Sequence, residues 1–168
     1  MKRLFCLMLL VLLFLPGCQS QEEEEFVQPV NFYFPKADVT YFSAEGVISR
    51  EVREADGYRQ NYEYLLKMYL KGPESGELKR VFPKNVDLVR LELSETGATV
   101  VLSDAAARLT GLDLTVACAC LTATVCDMTG VQTLTIRTKT QLLDGNKTIT
   151  MSRDQILFLD NSEANISD

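Results

Sequence analysis

Neither histidine nor tryptophan occurs among the 168 residues. Without histidine the chain lacks the commonest general base, the commonest zinc ligand and the usual partner of a serine or cysteine nucleophile. Carboxylate chemistry stays open, but Asp38, Asp87, Asp104, Asp113 and Asp144 are scattered without paired spacing. Positive charge is short as well: 17 basic against 23 acidic side chains give a net charge of −6. No basic stripe is interleaved with aromatics, so nucleic acid is excluded as an expected partner. There is no glycine-rich phosphate loop and no internal repeat of 20–50 residues.

What is present begins with Lys2 and Arg3, followed by twelve apolar residues from Leu4 to Leu15. A helix needs about 20 residues to cross a ~30 Å bilayer core, so this run is too short to span. Length and flanks predict an export signal. A core helix is disfavoured because it would be apolar all round. The run stops at Leu15-Pro16-Gly17-Cys18, which resembles a bacterial lipobox, with Pro16 where a small residue is more usual. An ordinary secretory signal is the alternative. The lipobox resemblance implies cleavage between Gly17 and Cys18 and a diacylglyceryl thioether on Cys18. Two or more acyl chains anchor stably where one is marginal. A chain starting at Cys18 carries 15 basic and 23 acidic side chains, a net −8. The acidic stretch Gln19–Glu25 then reads as an extended, self-repelling spacer.

Residues 1–17 are thus the expected signal peptide, 18–29 the acidic spacer, 30–160 one folded domain and 161–168 a polar tail. Val30–Phe34 alternates as a strand, and Gly46–Arg53 is a weaker one. Tyr58, Tyr62, Leu65, Leu66, Tyr69 and Leu70 form one helical stripe, ended by Gly72-Pro73. Core packing is the expected use of its tyrosines, over sugar stacking. Val89, Leu91 and Leu93 alternate in one strand, and Ala98, Val100 and Leu102 in the next. The Ser94–Gly97 turn makes them a hairpin. A second helix is expected from about Leu114 to Met128, closed by Gly130. Val131, Leu134 and Ile136 begin another strand. Asp144-Gly145 turns the chain into Thr148–Met151, and Ile156–Leu159 pairs later. The fold class is α+β: a mostly antiparallel sheet with two helices on one face and a C-terminal β extension.

Cys118, Cys120 and Cys126 invite a metal or redox reading, which helix geometry opposes. Residues two apart point ~200° away from each other, and Cys118 and Cys126 lie ~12 Å apart along the axis. That exceeds the ~7 Å Cα limit for a disulfide. The spacing is not a zinc pattern, so all three are expected to pack as small apolar side chains. No metal site is expected. Ser103-Asp104 reads as a strand end with a helix N-cap, since no base accompanies the serine.

Several stretches, taken in order, resemble the GerMN (sporulation and spore germination) domain family. Tyr64-Leu-Leu-Lys-Met-Tyr-Leu-Lys-Gly72-Pro73 is similar to its helix ending in a Gly-Pro turn. Val81-Phe-Pro83, then Val89–Leu93 and Gly97–Ser103, match its xP segment and two strands. Leu121–Val131, with Thr124, Gly130 and Val131, matches its second helix and following turn. Asn85 stands where the family usually has glycine, and Val101 where it usually has aspartate. The resemblance implies a module similar to ring-building domains on the outer face of the bacterial membrane. Gly72, Pro73, Pro83, Ser103, Thr124, Gly130 and Val131 are structural positions in that pattern. It brings no catalytic residues and no cofactor. The expected role is non-enzymatic: a lipid-anchored envelope protein binding sporulation-complex or other envelope proteins, with self-assembly as one form. The alternative is a peptidoglycan- or small-ligand-binding accessory module of the envelope.

Overall fold

The computed structural model describes residues 29–38, 46–55 and 57–156. Gly17, Cys18 and the acidic spacer up to residue 28 lie outside them, as do Leu157–Leu159 of the expected last strand. The order is β1 (Pro29–Pro35), β2 (Ile48–Glu54), α1 (Tyr62–Leu70), β3 (Leu88–Leu93) and β4 (Ala98–Leu102), then α2 (Gly111–Thr129), β5 (Thr133–Thr138) and β6 (Ile149–Ser152). The class is α+β. The strands divide between two sheets: an antiparallel β1–β2 pair and a four-stranded sheet ordered β3-β4-β5-β6. Among the described strands only β4 and β5 run parallel, because α2 forms the crossover between them.

β1 is the most buried strand. Val30, Phe32 and Phe34 face α1, where the Phe34 and Tyr69 rings stack at 4.8 Å and Phe32 meets Tyr69 edge-on at 5.8 Å. Each such pair contributes about 0.5–1.5 kcal/mol beyond its area. Tyr33 points to the opposite side and packs with Ile48, Cys120, Ala123 and Ile156. Two cores therefore share one strand and one helix.

α2 begins at Gly111, three residues before the expected start, and its first turn is exposed. Its length and composition would suit a membrane span. Here, however, Leu114, Ala117, Cys118, Leu121 and Val125 enter the main core while Cys120 and Ala123 enter the second. A helix used on two sides has little amphipathic contrast, so periodicity does not mark its N-terminal boundary. Gly130 ends it at φ 77°, with its N–H on the Cys126 carbonyl at 2.8 Å.

The expected helical stripe is shorter than the periodicity suggests. Asn61 caps α1, its side-chain oxygen accepting from the Tyr64 N–H at 3.1 Å. Tyr58 lies before the helix, exposed, its ring tilted 31° against that of Tyr64 with centroids 4.3 Å apart. In β3 the alternation also breaks. Leu88 pairs with Leu102 and Arg90 with Val101, so Val89 is the extra residue of a bulge and is exposed. Ser103 precedes a 3₁₀ turn, Asp104–Arg108, but makes no side-chain cap bond to it. Asp144 and Gly145 are both at positive φ, 47° and 83°, in the Leu143–Asn146 turn, as mirror-image turns require.

The edge of β1 away from β2 is closed by α2. The Tyr33 N–H donates to Thr124 Oγ1 at 3.0 Å, and Asn31 Nδ2 to Asp127 Oδ2 at 2.8 Å. Thr124 is fully buried, so its hydroxyl is the substitute for a missing neighbouring strand. Thr124→Val keeps the shape and leaves the Tyr33 N–H without its partner. Urea denaturation should show a loss of about 1–3 kcal/mol, with Thr124→Ser retaining most of the stability. Equal stability of the valine variant would refute this role.

Candidate functional site

The one buried arginine among the described residues organises the loop after α1. Glu51 and Arg53 are two apart on β2, hence on one face, opposite Phe32 and Val30. The Arg53 guanidinium lies 5.0 Å above the Phe32 ring and 5.9 Å from Phe34. Arg53 Nε donates to Glu51 Oε1 at 2.6 Å, and Nη2 bonds the same oxygen. Nη2 also donates to the Gly72 carbonyl at 2.8 Å. Glu51 Oε2 accepts from the Glu74 and Ser75 N–H groups at 3.0 and 2.9 Å. Oε2 holds the loop, while Oε1 holds the cation and takes a longer share of the Glu74 N–H at 3.3 Å.

Gly72 sits between two arginines. Its φ is +93°, and a Cβ there would lie 2.9 Å from Arg80 Nε. Arg80 Nη1 donates to the last-turn Leu70 carbonyl at 2.7 Å, satisfying an orphan acceptor at the helix end. Glycine is required both by the backbone and by the side chain crossing it. Pro73 follows, half-buried, where the helix could not continue.

The other family-pattern residues serve packing and closure. The Pro83 carbonyl accepts from the Val86 N–H at 3.0 Å, forming a turn over Lys84-Asn85. Asn85 is not at positive φ, so the usual glycine is not needed at this position. Ser103 Oγ accepts from the Asp87 N–H at 3.0 Å, extending the β3–β4 ladder one residue past its paired strands. Val101, in place of aspartate, is buried. Val131 is half-buried against the main core. These positions are not brought into one cleft; they brace the domain at separate points. Arg53 and Glu51 were missed from sequence because charges in a weakly patterned strand look solvated. The available signal was their two-residue spacing opposite an aromatic strand.

A second carboxylate ties down the loop between β5 and β6. Asp104 accepts from the Thr140 N–H at 2.8 Å, the Thr140 hydroxyl at 2.6 Å and the Gln141 N–H at 3.2 Å. The Thr140 hydroxyl leads in lowering its carboxyl from 3.8 to about 2. Farther along this loop, Asp144 Oδ2 accepts from the Gly111 N–H at 3.1 Å, at the start of α2.

Burial pushes the Cys118 thiol up to about 12 and raises Cys120 and Cys126 as well. All three are free and buried, so they stay protonated near neutral pH and are poor nucleophiles or ligands. Among the described residues, no group of three or more Cys, Asp or Glu is placed to hold a metal ion.

Together these features define a small α+β module stabilised by a docked Gly-Pro loop. A family model described as Germane, sporulation and spore germination, matches residues 31–144, and the chain belongs to that family. The first GerMN domain of the sporulation protein GerM from Bacillus subtilis superposes with a TM-score of 0.59 at 12% identity, over 76% of this chain and 98% of that one. The tandem GerMN domains of the same protein give 0.54 at 14% identity, over 75% of this chain and 45% of the tandem. A candidate lipoprotein of Clostridium perfringens gives 0.50 at 18% identity, over 77% and 89%. At these identities the likenesses show the fold. The search of curated protein sequences gave no match.

Two substitutions test the electrostatic anchors. Glu51→Gln leaves Arg53 only the exposed Glu74 carboxylate, 3.6 Å from Nη1, as counter-charge, and unfolding free energy should fall by about 3 kcal/mol. Amide exchange at Glu74 and Ser75 should quicken in the same variant. A loss below about 1 kcal/mol would refute the anchoring role. For Asp104→Asn, the sign follows from a lowered folded pKa: the carboxylate stabilises above its ordinary value and loses that effect as pH falls through about 2. The Tm deficit of this variant should be full at neutral pH and shrink steadily below pH 3.8 towards about 2. A deficit independent of pH would contradict it.

Proposed function

We propose that the chain is a lipid-anchored protein of the outer face of the cell membrane, with Cys18 as its attachment site. Its domain is a non-enzymatic protein-interaction module acting in sporulation or spore germination. The observation that carries this reading is a lipobox-like Leu15–Cys18 and acidic spacer preceding a domain of the sporulation and germination family. The spacer keeps the domain clear of the bilayer. Burial and protonation of the thiols, and the use of Glu51 and Asp104 as structural acceptors, support a binding role over a catalytic one.

Four measurements test it in cells of the source bacterium. Mass spectrometry of the mature N-terminus should find a diacylglyceryl-modified Cys18, and Cys18→Ala should release the protein from the membrane fraction. Affinity capture of the anchored protein during sporulation should recover envelope proteins, and a deletion strain should lose spore yield or germination. An unmodified N-terminus would overturn the anchor. Retention by purified cell-wall sacculi, without protein partners and with normal spores, would overturn the interaction role in favour of wall binding.

A further inference from the structure

On this acidic chain, five cations converge around the docked loop. Lys67 and Lys71 stand on successive turns at the end of α1, and Lys79, Arg80 and Lys84 come from the segment that follows. They line two open grooves. One holds Lys67, Lys71, Arg80 and Lys84; the other holds Lys79, Arg80 and Lys84, so Arg80 and Lys84 are common to both. The four lysines are exposed and make no ion pair among the described residues. Asp87 lines the first groove and Asp113 the second, leaving cations in excess in each.

Helix-end electrostatics would account for Lys67 and Lys71, since cations favour a helix C-terminus. It does not account for Lys79 and Lys84, which come from two other places on the chain. Asp87 and Asp113 offset only part of this charge, and the cations in excess repel one another. Their convergence is a cost unless an anion lies between them.

We propose that these adjoining grooves bind an extended, non-nucleic polyanion of the phosphodiester class, laid past Lys67 and Lys71, over Arg80 and Lys84, to Lys79. Concavity favours a chain over a flat bilayer surface. Donor type suits phosphate: lysine binds phosphate as a mobile point charge and needs no planar bidentate partner. The single arginine here already gives Nη1 to the Leu70 carbonyl. The net charge of −6 repels a polyanion from the rest of the surface and confines it to this track.

The test uses the full-length chain in neutral detergent and a fluorescent poly(glycerol phosphate) probe, read by anisotropy. Wild-type protein should bind at low salt. Its log affinity should fall with log salt at a slope of roughly −3, at ~0.7 per phosphate for a flexible strand. Lys79→Glu/Lys84→Glu should weaken binding at least ~10-fold. Lys139→Glu/Lys147→Glu, the same charge change outside both grooves, should change it less than ~2-fold. All four sites are exposed, so thermal melts should coincide. Equal loss in both variants would reduce the effect to net charge and overturn the proposal, as would no binding by the wild type. Poly-glutamate binding as tightly as the phosphate polymer would assign the grooves to an acidic protein segment instead. Capture by phosphatidylglycerol vesicles, with no binding of the polymer, would assign them to the membrane.

Discussion

Arg53 is a cation held away from water, and its surroundings are arranged so that its charge is never unpaired. Two phenylalanine rings lie against it, Glu51 supplies the counter-charge, and the Gly72 carbonyl takes a further N–H. A buried ion pair is weak evidence for net stability, because desolvation offsets most of the attraction. Its contribution here is positional. Removing any one partner strands the others, so β1, β2 and the Gly-Pro loop hold a single arrangement. The backbone conformation at Gly72 follows from that arrangement, with Arg53 on its carbonyl and Arg80 across its Cα.

The same logic, a polar side chain standing in for missing secondary structure, recurs at each boundary of the domain. Thr124 replaces a neighbouring strand along β1. Asp144 replaces an N-cap for α2, whose own Thr110 makes no side-chain cap bond. Ser103 prolongs the β3–β4 ladder. A domain of two small sheets has many unpaired backbone groups at its seams, and each must be satisfied. That requirement explains why family-pattern residues such as Thr124 and Ser103 are polar although they carry no chemistry.

The strands, both helices and the Gly130 stop were legible because they rest on local periodicity and turn chemistry. Where the reading departed, a tertiary interaction had displaced a local preference. Tyr58 has the right spacing for the helical stripe, but Asn61 caps the helix after it. Val89 has the right alternation, but a bulge ejects it. The thiols were legible as packing because their helix spacing forbids a shared ligand shell. The Arg53–Glu51 hub was not legible. Nothing local marks two charges in a half-exposed strand as buried; only the approach of Phe32, Phe34 and the Gly72 loop does so.

That hub also reaches the cationic grooves. Glu51 fixes Glu74 and Ser75, and the chain then runs on through a bridge between Lys36 and Leu78 to the Lys79 N–H, which donates to the Pro35 carbonyl at 2.8 Å. Lys79 and Arg80 are therefore carried on backbone clamped to the buried sheet at both ends. Lys84 sits in the turn closed by Val86, which is itself in the core. Mobile lysine side chains on a rigid track lose less entropy on binding than lysines on a free loop. The interaction that fixes the fold thus also presents these grooves, and changes to Glu51 should be felt there as well as in stability.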